Sequence, residues 1–344
     1  MTQPGRPRRS TIADVAQHAG VSTTAVSKVL RNAYGVSPAM REKVTASIKE
    51  LGYRPHAAAR AMRGRTFTIG VLFPDLRNPF FPDILDGIDA QIAGTEYQVI
   101  IVRGGASAKT ESSAIDALVD RQVDGLLMVA PLNTRKRLEE VARILPTVVL
   151  GPHDKSAAYD SVADDDAAGV ELVMEHLIGL GHRRIAHIAH GDIGLARVST
   201  SLQTIRAETY KRVMRDHGLA DEIAIATTSY TETGGYDGAR ELLARDARPT
   251  AIFAGADLAA FGTLAAVHEA GLSVPGDISV AGYDNTRMAG LAHVSLTSVD
   301  QDGVTLGRTV GRLLLERIEG RTTPVRFFIS PSLVARLSTG PAPS

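Results

Sequence analysis

The 344-residue chain contains no cysteine, which excludes disulfides and thiolate metal sites. A reducing compartment permits that composition without requiring it. No stretch approaches the roughly 18 consecutive apolar residues of a membrane-spanning helix. The basic start MTQPGRPRRS is not followed by the apolar core of a secretory signal. A cytoplasmic protein with no membrane segment is therefore expected. Net charge is also missing, since 38 Lys and Arg stand against 38 Asp and Glu. There is no GxxxxGKS/T loop, no GxGxxG after the first strand and no GxSxG elbow. The usual phosphate cradles and nucleophile of common enzymes are absent, so neither catalysis nor a cofactor is expected.

Apolar residues make up 44% of the chain and mean hydropathy is near zero, as in a globular protein. The length fits two or three domains. The zero net charge hides an asymmetry. Residues 1–65 hold twelve Lys and Arg against three Asp and Glu, a net +9, and the remainder holds 26 against 35, a net −9. A basic head on an acidic body is the electrostatic footprint of nucleic-acid binding, because the body repels DNA and leaves the head as the contact surface.

Within that head, TIADVAQHAGVSTTAVSKVL (residues 11–30) reads as two short helices joined by a tight turn. Ile12, Val15, Ala16 and Ala19 share one helical face. Thr11 and Asp14 have the spacing of a reciprocal N-terminal cap, and Gly20 supplies the left-handed residue of the turn. Ser22 caps the second helix. Its apolar side is Ala25, Val26, Val29 and Leu30, and its other side is Thr23, Thr24, Ser27 and Lys28. A short, polar, cationic outer face suits a DNA major groove, since small side chains let the backbone come close. A third helix starts at Ser37 and Pro38 and buries Met40, Val44, Ile48 and Leu51, with Gly52 ending it.

These residues resemble the headpiece of the LacI/GalR family of bacterial transcription regulators, in "TIADVAQHAGVS", "AVSKVLR", "VSPAMREKV" and "LGYRP". The resemblance continues through "IGVLFPDLRNPFF", "HLIGLGHRRIAHI", "VPGDISVAGYDN" and "LVARLST", in the family's order and over almost the whole chain. It places base contacts on Thr23, Thr24 and Lys28; the hydroxyl and amide side chains of Ser22, Ser27, Asn32 and Tyr34 are expected phosphate donors. The tyrosine-glutamine pair of the best-known relatives is Thr23-Thr24 here, so their operator is not implied. HAAARAMRG, residues 56–64, resembles the family's hinge helix, which orders in pairs on DNA. There Met62 stands where leucine wedges into the minor groove, and Ala59 makes the close helix contact.

The expected domains are a disordered basic arm (1–10), a helix-turn-helix domain (11–55), a hinge helix and linker (56–66) and an effector-binding and dimerisation domain (67–344). Beyond Thr66, short apolar runs alternate with helical segments, which argues for parallel sheets covered on both faces. The resemblance implies a two-lobed α/β sensor of periplasmic-binding-protein type I, joined to the all-α head. The N-lobe is expected at about 67–165 and 297–324, and the C-lobe at about 166–296 and 325–344. With no leucine heptad in the final residues, a homodimer on a near-palindromic operator is expected rather than a tetramer.

Ligands of open α/β sheets bind beyond the carboxyl ends of strands. That rule and the resemblance together nominate Asp75, Asn78, Phe80, Asp164, Arg206, Tyr230, Asp284 and Gln301, with Arg197 as a further cation. Arginine forks and carboxylates bridge neighbouring hydroxyls, and an aromatic face stacks on a ring, so a small polar effector such as a sugar is expected. The motif around Arg206 carries Thr209 where the family has glycine, and Ala256 replaces a familiar sugar-binding asparagine. Asp257 is expected to be a helix N-cap. The acidic run Asp164-Asp165-Asp166 is assigned to caps and hydroxyl contacts rather than to a cation. His182, His187 and His190 are expected to be ordinary surface or loop residues, with His187 and His190 on opposite strand faces. The competing function is a small-molecule-binding protein without a regulatory role. The head and the missing export signal weigh against it.

Overall fold

The computed structural model describes residues 10–30, 33–53, 65–191 and 202–343. It divides into two compact units, with the boundary between Phe67 and Thr68. The basic arm up to residue 9 and the proposed hinge helix, with Ala59 and Met62, lie outside the described residues, as do Asn32 and Arg197.

The first unit contains α1 (Ile12–Ala19), α2 (Thr23–Leu30) and α3 (Pro38–Glu50). The cap at α1 is reciprocal: the Thr11 amide donates to Asp14 Oδ2 at 2.7 Å, and the Asp14 amide donates to Thr11 Oγ1 at 3.3 Å. Gly20 takes φ +66°, which reverses the chain after α1. Ser22 Oγ accepts from the Ala25 amide at 3.1 Å and starts α2. Ser37 Oγ accepts from Met40 and starts α3, with Pro38 in the first turn. Val15, Ala16, Ala19, Val26, Val29, Val44 and Tyr53 form the core, and Met40, Ile48 and Leu51 pack against it half-buried.

The second unit is built from twelve strands and eight helices among the described residues. In order these are β1 (Thr68–Phe73), α4 (Phe80–Ile92), β2 (Gln98–Arg103), α5 (Ala108–Asp120), β3 (Gly125–Val129), α6 (Arg135–Ala142), β4 (Thr147–Leu150) and β5 (Asp160–Asp164). Then come α7 (Asp166–Gly179), β6 (Ile185–His190), α8 (Leu202–Asp216), β7 (Ala224–Thr228), α9 (Glu232–Leu243), β8 (Ala251–Ala254), α10 (Asp257–Glu269) and β9 (Ser279–Tyr283). The last are β10 (Thr297–Asp300), α11 (Gly303–Ile318), β11 (Arg326–Ile329) and β12 (Ser332–Val334). Two six-stranded sheets result, ordered β11-β5-β4-β3-β1-β2 and β12-β10-β9-β8-β6-β7. All pairings are parallel except β10 with β12. Central strands such as β3 and β4 are buried along their whole length, which explains their unbroken aliphatic sequences.

The lobe boundaries differ from the sequence expectation near the C-terminus. β10 belongs to the C-lobe sheet, pairing Thr297 with Ala281, and β11 belongs to the N-lobe sheet, pairing Arg326 with Ser161. The chain therefore crosses between lobes after Asp164, after Asp300 and after Ile329. Thr297–Asp300 has one aliphatic residue in four, so hydrophobic pattern alone does not reveal that it is a strand. β5 is equally inconspicuous. It is fixed by Asp160, whose buried carboxylate is paired with Arg317 and Arg321 and accepts from the Val325 amide.

Two N-lobe helices, α4 and α11, approach to backbone contact. A Cβ on Gly87 would lie 2.2 Å from the Val304 carbonyl oxygen, and one on Gly307 would lie 2.0 Å from that of Ile84. Backbone cannot yield as a side chain can. Gly307→Val is expected to cost about 1–3 kcal/mol by overpacking, or on the order of 5 °C in melting temperature. Calorimetry checks this, and an unchanged transition would contradict the close approach.

Candidate functional site

The carboxyl ends of the strands of both sheets open onto one cavity of about 530 Å³. The segment after β1 brings Asp75, Asn78 and Phe80 to it, and β5 brings Asp164. Arg206 reaches it from α8, Tyr230 from the loop after β7, Asp284 from the end of β9 and Gln301 from the crossover after β10. Every nominated ligand residue within the described segments lines this one space.

Arg206 is the organising cation. Its Nε donates to Asp166 Oδ1 at 2.7 Å and its Nη1 to the Gly255 carbonyl at 2.6 Å. Its guanidinium lies 3.6 Å from the centroid of the Tyr283 ring. Burial disfavours its charge, but Asp166 outweighs that and its pKa is raised. Behind it, the Tyr283 hydroxyl donates to Asp164 Oδ2 at 3.0 Å. Burial, reinforced by the charge of Asp166, pushes the Asp164 carboxyl up to about 7. Asp165, between these two acids, caps α7 by accepting from the Ala168 amide.

Asp284 joins the two lobes. Its Oδ1 accepts from Gln301 Nε2 at 2.6 Å, and its Oδ2 accepts from Asn78 Nδ2 at 3.2 Å. The residue sits at φ +116°, and burial holds its carboxyl well above the usual carboxylate range. The strained loop is pinned by Asp257, which is not the N-cap expected from sequence. Ala256 occupies the cap position, and Asp257 is fully buried one residue later. It accepts from the Thr286 amide at 2.7 Å, from Thr286 Oγ1 at 2.9 Å and from Ser298 Oγ at 2.5 Å. Asp257 positions the segment that carries Asp284 and does not line the cavity.

Asp75 lines the cavity but its carboxylate is held by Arg77, with Nη2 to Oδ2 at 2.6 Å, and that bond keeps its pKa low. The Tyr230 hydroxyl is buried near the His190 backbone without a well-formed hydrogen bond. Burial raises its pKa to about 12, so it remains a donor at neutral pH. Its ring meets that of His190 edge-on at 5.2 Å. Sequence reasoning missed Arg77, Arg103, His153 and His190 as lining residues. Their positions at or just beyond the carboxyl ends of strands were the available signal.

The histidines are not the surface residues expected. His182 is buried among Thr250, Ser279 and the Gly340 carbonyl. His187 is fully buried, donates from Nδ1 to the Phe253 carbonyl at 3.0 Å and stacks on the Phe253 ring at 4.7 Å. Among the described residues, no three His, Cys, Asp or Glu side chains gather as a metal site. Burial pushes His187 down to about 4, against 6.5 for the unperturbed group. As pH falls, the unfolded chain therefore takes up this proton first. The site's stabilising contribution is complete above about 6.5 and is lost as pH falls through about 4. His187→Phe is expected to shrink the drop in melting temperature between pH 7 and pH 5. Buried carboxylates titrate as well, those with raised pKa acting with opposite sign, but they are common to both proteins, so their difference isolates the imidazole. An equal drop in both would refute the assignment.

In the first unit, Ser22, Thr23, Thr24, Lys28 and Tyr34 are exposed and Ser27 is half-buried, while Val26 and Val29 face the core. The outer side of α2 thus presents the three nominated base-reading side chains together.

Residues 11–56 match the model of bacterial regulatory proteins of the lacI family, and residues 174–339 match a periplasmic binding protein-like domain. The ribose operon repressor of Escherichia coli (strain K12) is 33% identical over 332 residues, covering 95% of this chain and 99% of the relative. A Lac repressor dimer bound to operator and the anti-inducer ONPF superposes with a TM-score of 0.80 at 27% identity, covering 97% of this chain and 100% of that one. A LacI-family regulator from Enterococcus faecium with bound ribose has a TM-score of 0.69 at 30% identity, covering 80% and 99%. With a relative this similar along nearly its whole length, a capped helix-turn-helix and a two-lobed sensor, the chain belongs to the lacI family of bacterial regulatory proteins.

Proposed function

We propose that this chain is a transcriptional repressor whose affinity for operator DNA is set by a small polyhydroxylated metabolite bound between its two lobes. It acts as a homodimer in the cytoplasm, at the nucleoid when DNA-bound, and it needs no cofactor. The observation that carries this reading is the convergence of Asp75, Phe80, Asp164, Arg206, Tyr230, Asp284 and Gln301 on one cavity. A separate unit meanwhile exposes Thr23, Thr24 and Lys28. The repressor names of its relatives support the DNA arm, and the ribose-bound regulator supports the ligand class. The hydrogen bonds of Asn78 and Gln301 to Asp284 tie both lobes to the ligand position. A ligand that binds one lobe arrangement better shifts the population towards it, and only that difference in affinity controls the DNA.

Each subunit reads one half-site, and two-fold symmetry makes the operator near-palindromic. The test of the reading helix is Lys28→Ala on an operator recovered from a random DNA library. Specific affinity is expected to fall about tenfold or more, as for loss of a base contact worth 1–3 kcal/mol. The base preference at one position should relax at the same time. Unchanged affinity and preference would move the contact elsewhere.

A further inference from the structure

The charges lining the cavity are unevenly paired. Arg206 is matched by Asp166 and Arg77 by Asp75, both at hydrogen-bond distance. Arg103, at the end of β2, lines the same cavity and has no hydrogen-bond or ion-pair partner among the described residues. It is near enough to Asp75 to help hold that carboxyl down, so two guanidinium groups share one carboxylate on the N-lobe wall. Apart from Asp75, which Arg77 already holds, the acids lining the cavity among the described residues are engaged with other partners. Asp164 is hydrogen-bonded to Tyr283, and Asp284 lies between Gln301 and Asn78. The cavity therefore offers hydroxyl-binding groups at Arg206, Asp164 and Asp284, and among the described residues Arg103 adds a positive charge shared only with Asp75.

We infer that the effector bears one anionic group, a phosphomonoester or a carboxylate, which Arg103 binds while the hydroxyls meet Arg206, Asp164 and Asp284. The inference rests on the ligand reading proposed above and narrows it from a polar metabolite to an acidic one. A guanidinium presents two parallel N–H groups to either kind of oxyanion, which makes it the suitable donor.

The test uses the full-length protein and calorimetric titration at low salt with matched probes. These are ribose against ribose 5-phosphate, and glucose against glucose 6-phosphate and glucuronate. Inorganic phosphate is followed alongside by thermal shift. The acidic member of at least one set is expected to bind about tenfold tighter than its neutral partner, as a charge-assisted hydrogen bond warrants. Arg103→Ala should bring the acid down to the neutral sugar's affinity. Preference for phosphate or for glucuronate identifies the anionic group. Neutral sugars that bind as tightly as their acidic partners overturn the inference and leave the proposed function standing. So does an Arg103→Ala loss that is equal for both members. If no sugar in the series binds, the inference still requires inorganic phosphate to raise the melting temperature of the wild type and not of Arg103→Ala. Absence of that difference overturns it.

Discussion

Arg206→Ala is expected to raise the effector concentration needed to change operator binding by at least a hundredfold. Arg206 is nearly inaccessible to water, and its charge is satisfied by Asp166, the Gly255 carbonyl and the Tyr283 ring. It also lines the cavity, where a ligand can meet it. Losing the guanidinium removes a charge-assisted donor, worth about 1.5–3 kcal/mol. It also leaves Asp166 buried and unpaired. Breaking such a pair costs about 3–5 kcal/mol of stability, so the alanine variant needs a control. Arg206→Lys supplies one, because it keeps the positive charge beside Asp166 but lacks the planar fork. The lysine variant is expected to fold and still to respond at least tenfold more weakly than wild type. Effector titrations of operator binding, read beside melting curves, separate the two losses. A normal response in a folded Arg206→Lys protein would place the ligand elsewhere.

Operator affinity is expected to fall on the order of 10³-fold or more between 50 and 200 mM salt, as for proteins that neutralise six or more phosphates. The net charge of +9 over residues 1–65 is the source. Each phosphate neutralised releases counterions, so the logarithm of affinity falls linearly with the logarithm of salt. The acidic remainder of the chain gives no competing attraction for DNA. A fluorescence anisotropy series across that salt range measures the slope, and a flat response would exclude the basic head as the contact surface.

What could be read from the sequence depended on how locally each signal was encoded. β1, β2, β3 and β4 have the bounds that their aliphatic runs dictate, because each run is flanked by turn or polar residues. The caps of α1 and α3 are likewise local chemistry within four residues. β5, β10 and β12 are short or polar and become strands through pairings outside their own segment, among them β5 with β11 and β10 with β12 far along the chain. That is why the last two lobe crossings were displaced by one strand. Asp257 looked like a cap because it precedes an apolar helix. Its real partners, Thr286 and Ser298, are 29 and 41 residues away. The cleft residues were accessible to sequence reasoning because strand ends mark the binding edge of an α/β sheet. The pairing of their charges was not, since only the folded chain shows that Arg77 is matched by Asp75 while Arg103 has no ion-pair partner among the described residues.

The most direct test of the regulator reading is selection from a random DNA library with the purified full-length protein, at near-physiological salt, with and without the sugar and sugar-acid series. Enrichment of a near-palindrome, with its yield altered by at least one member of the series, is the predicted result. A library with no enriched sequence under either condition would contradict the account.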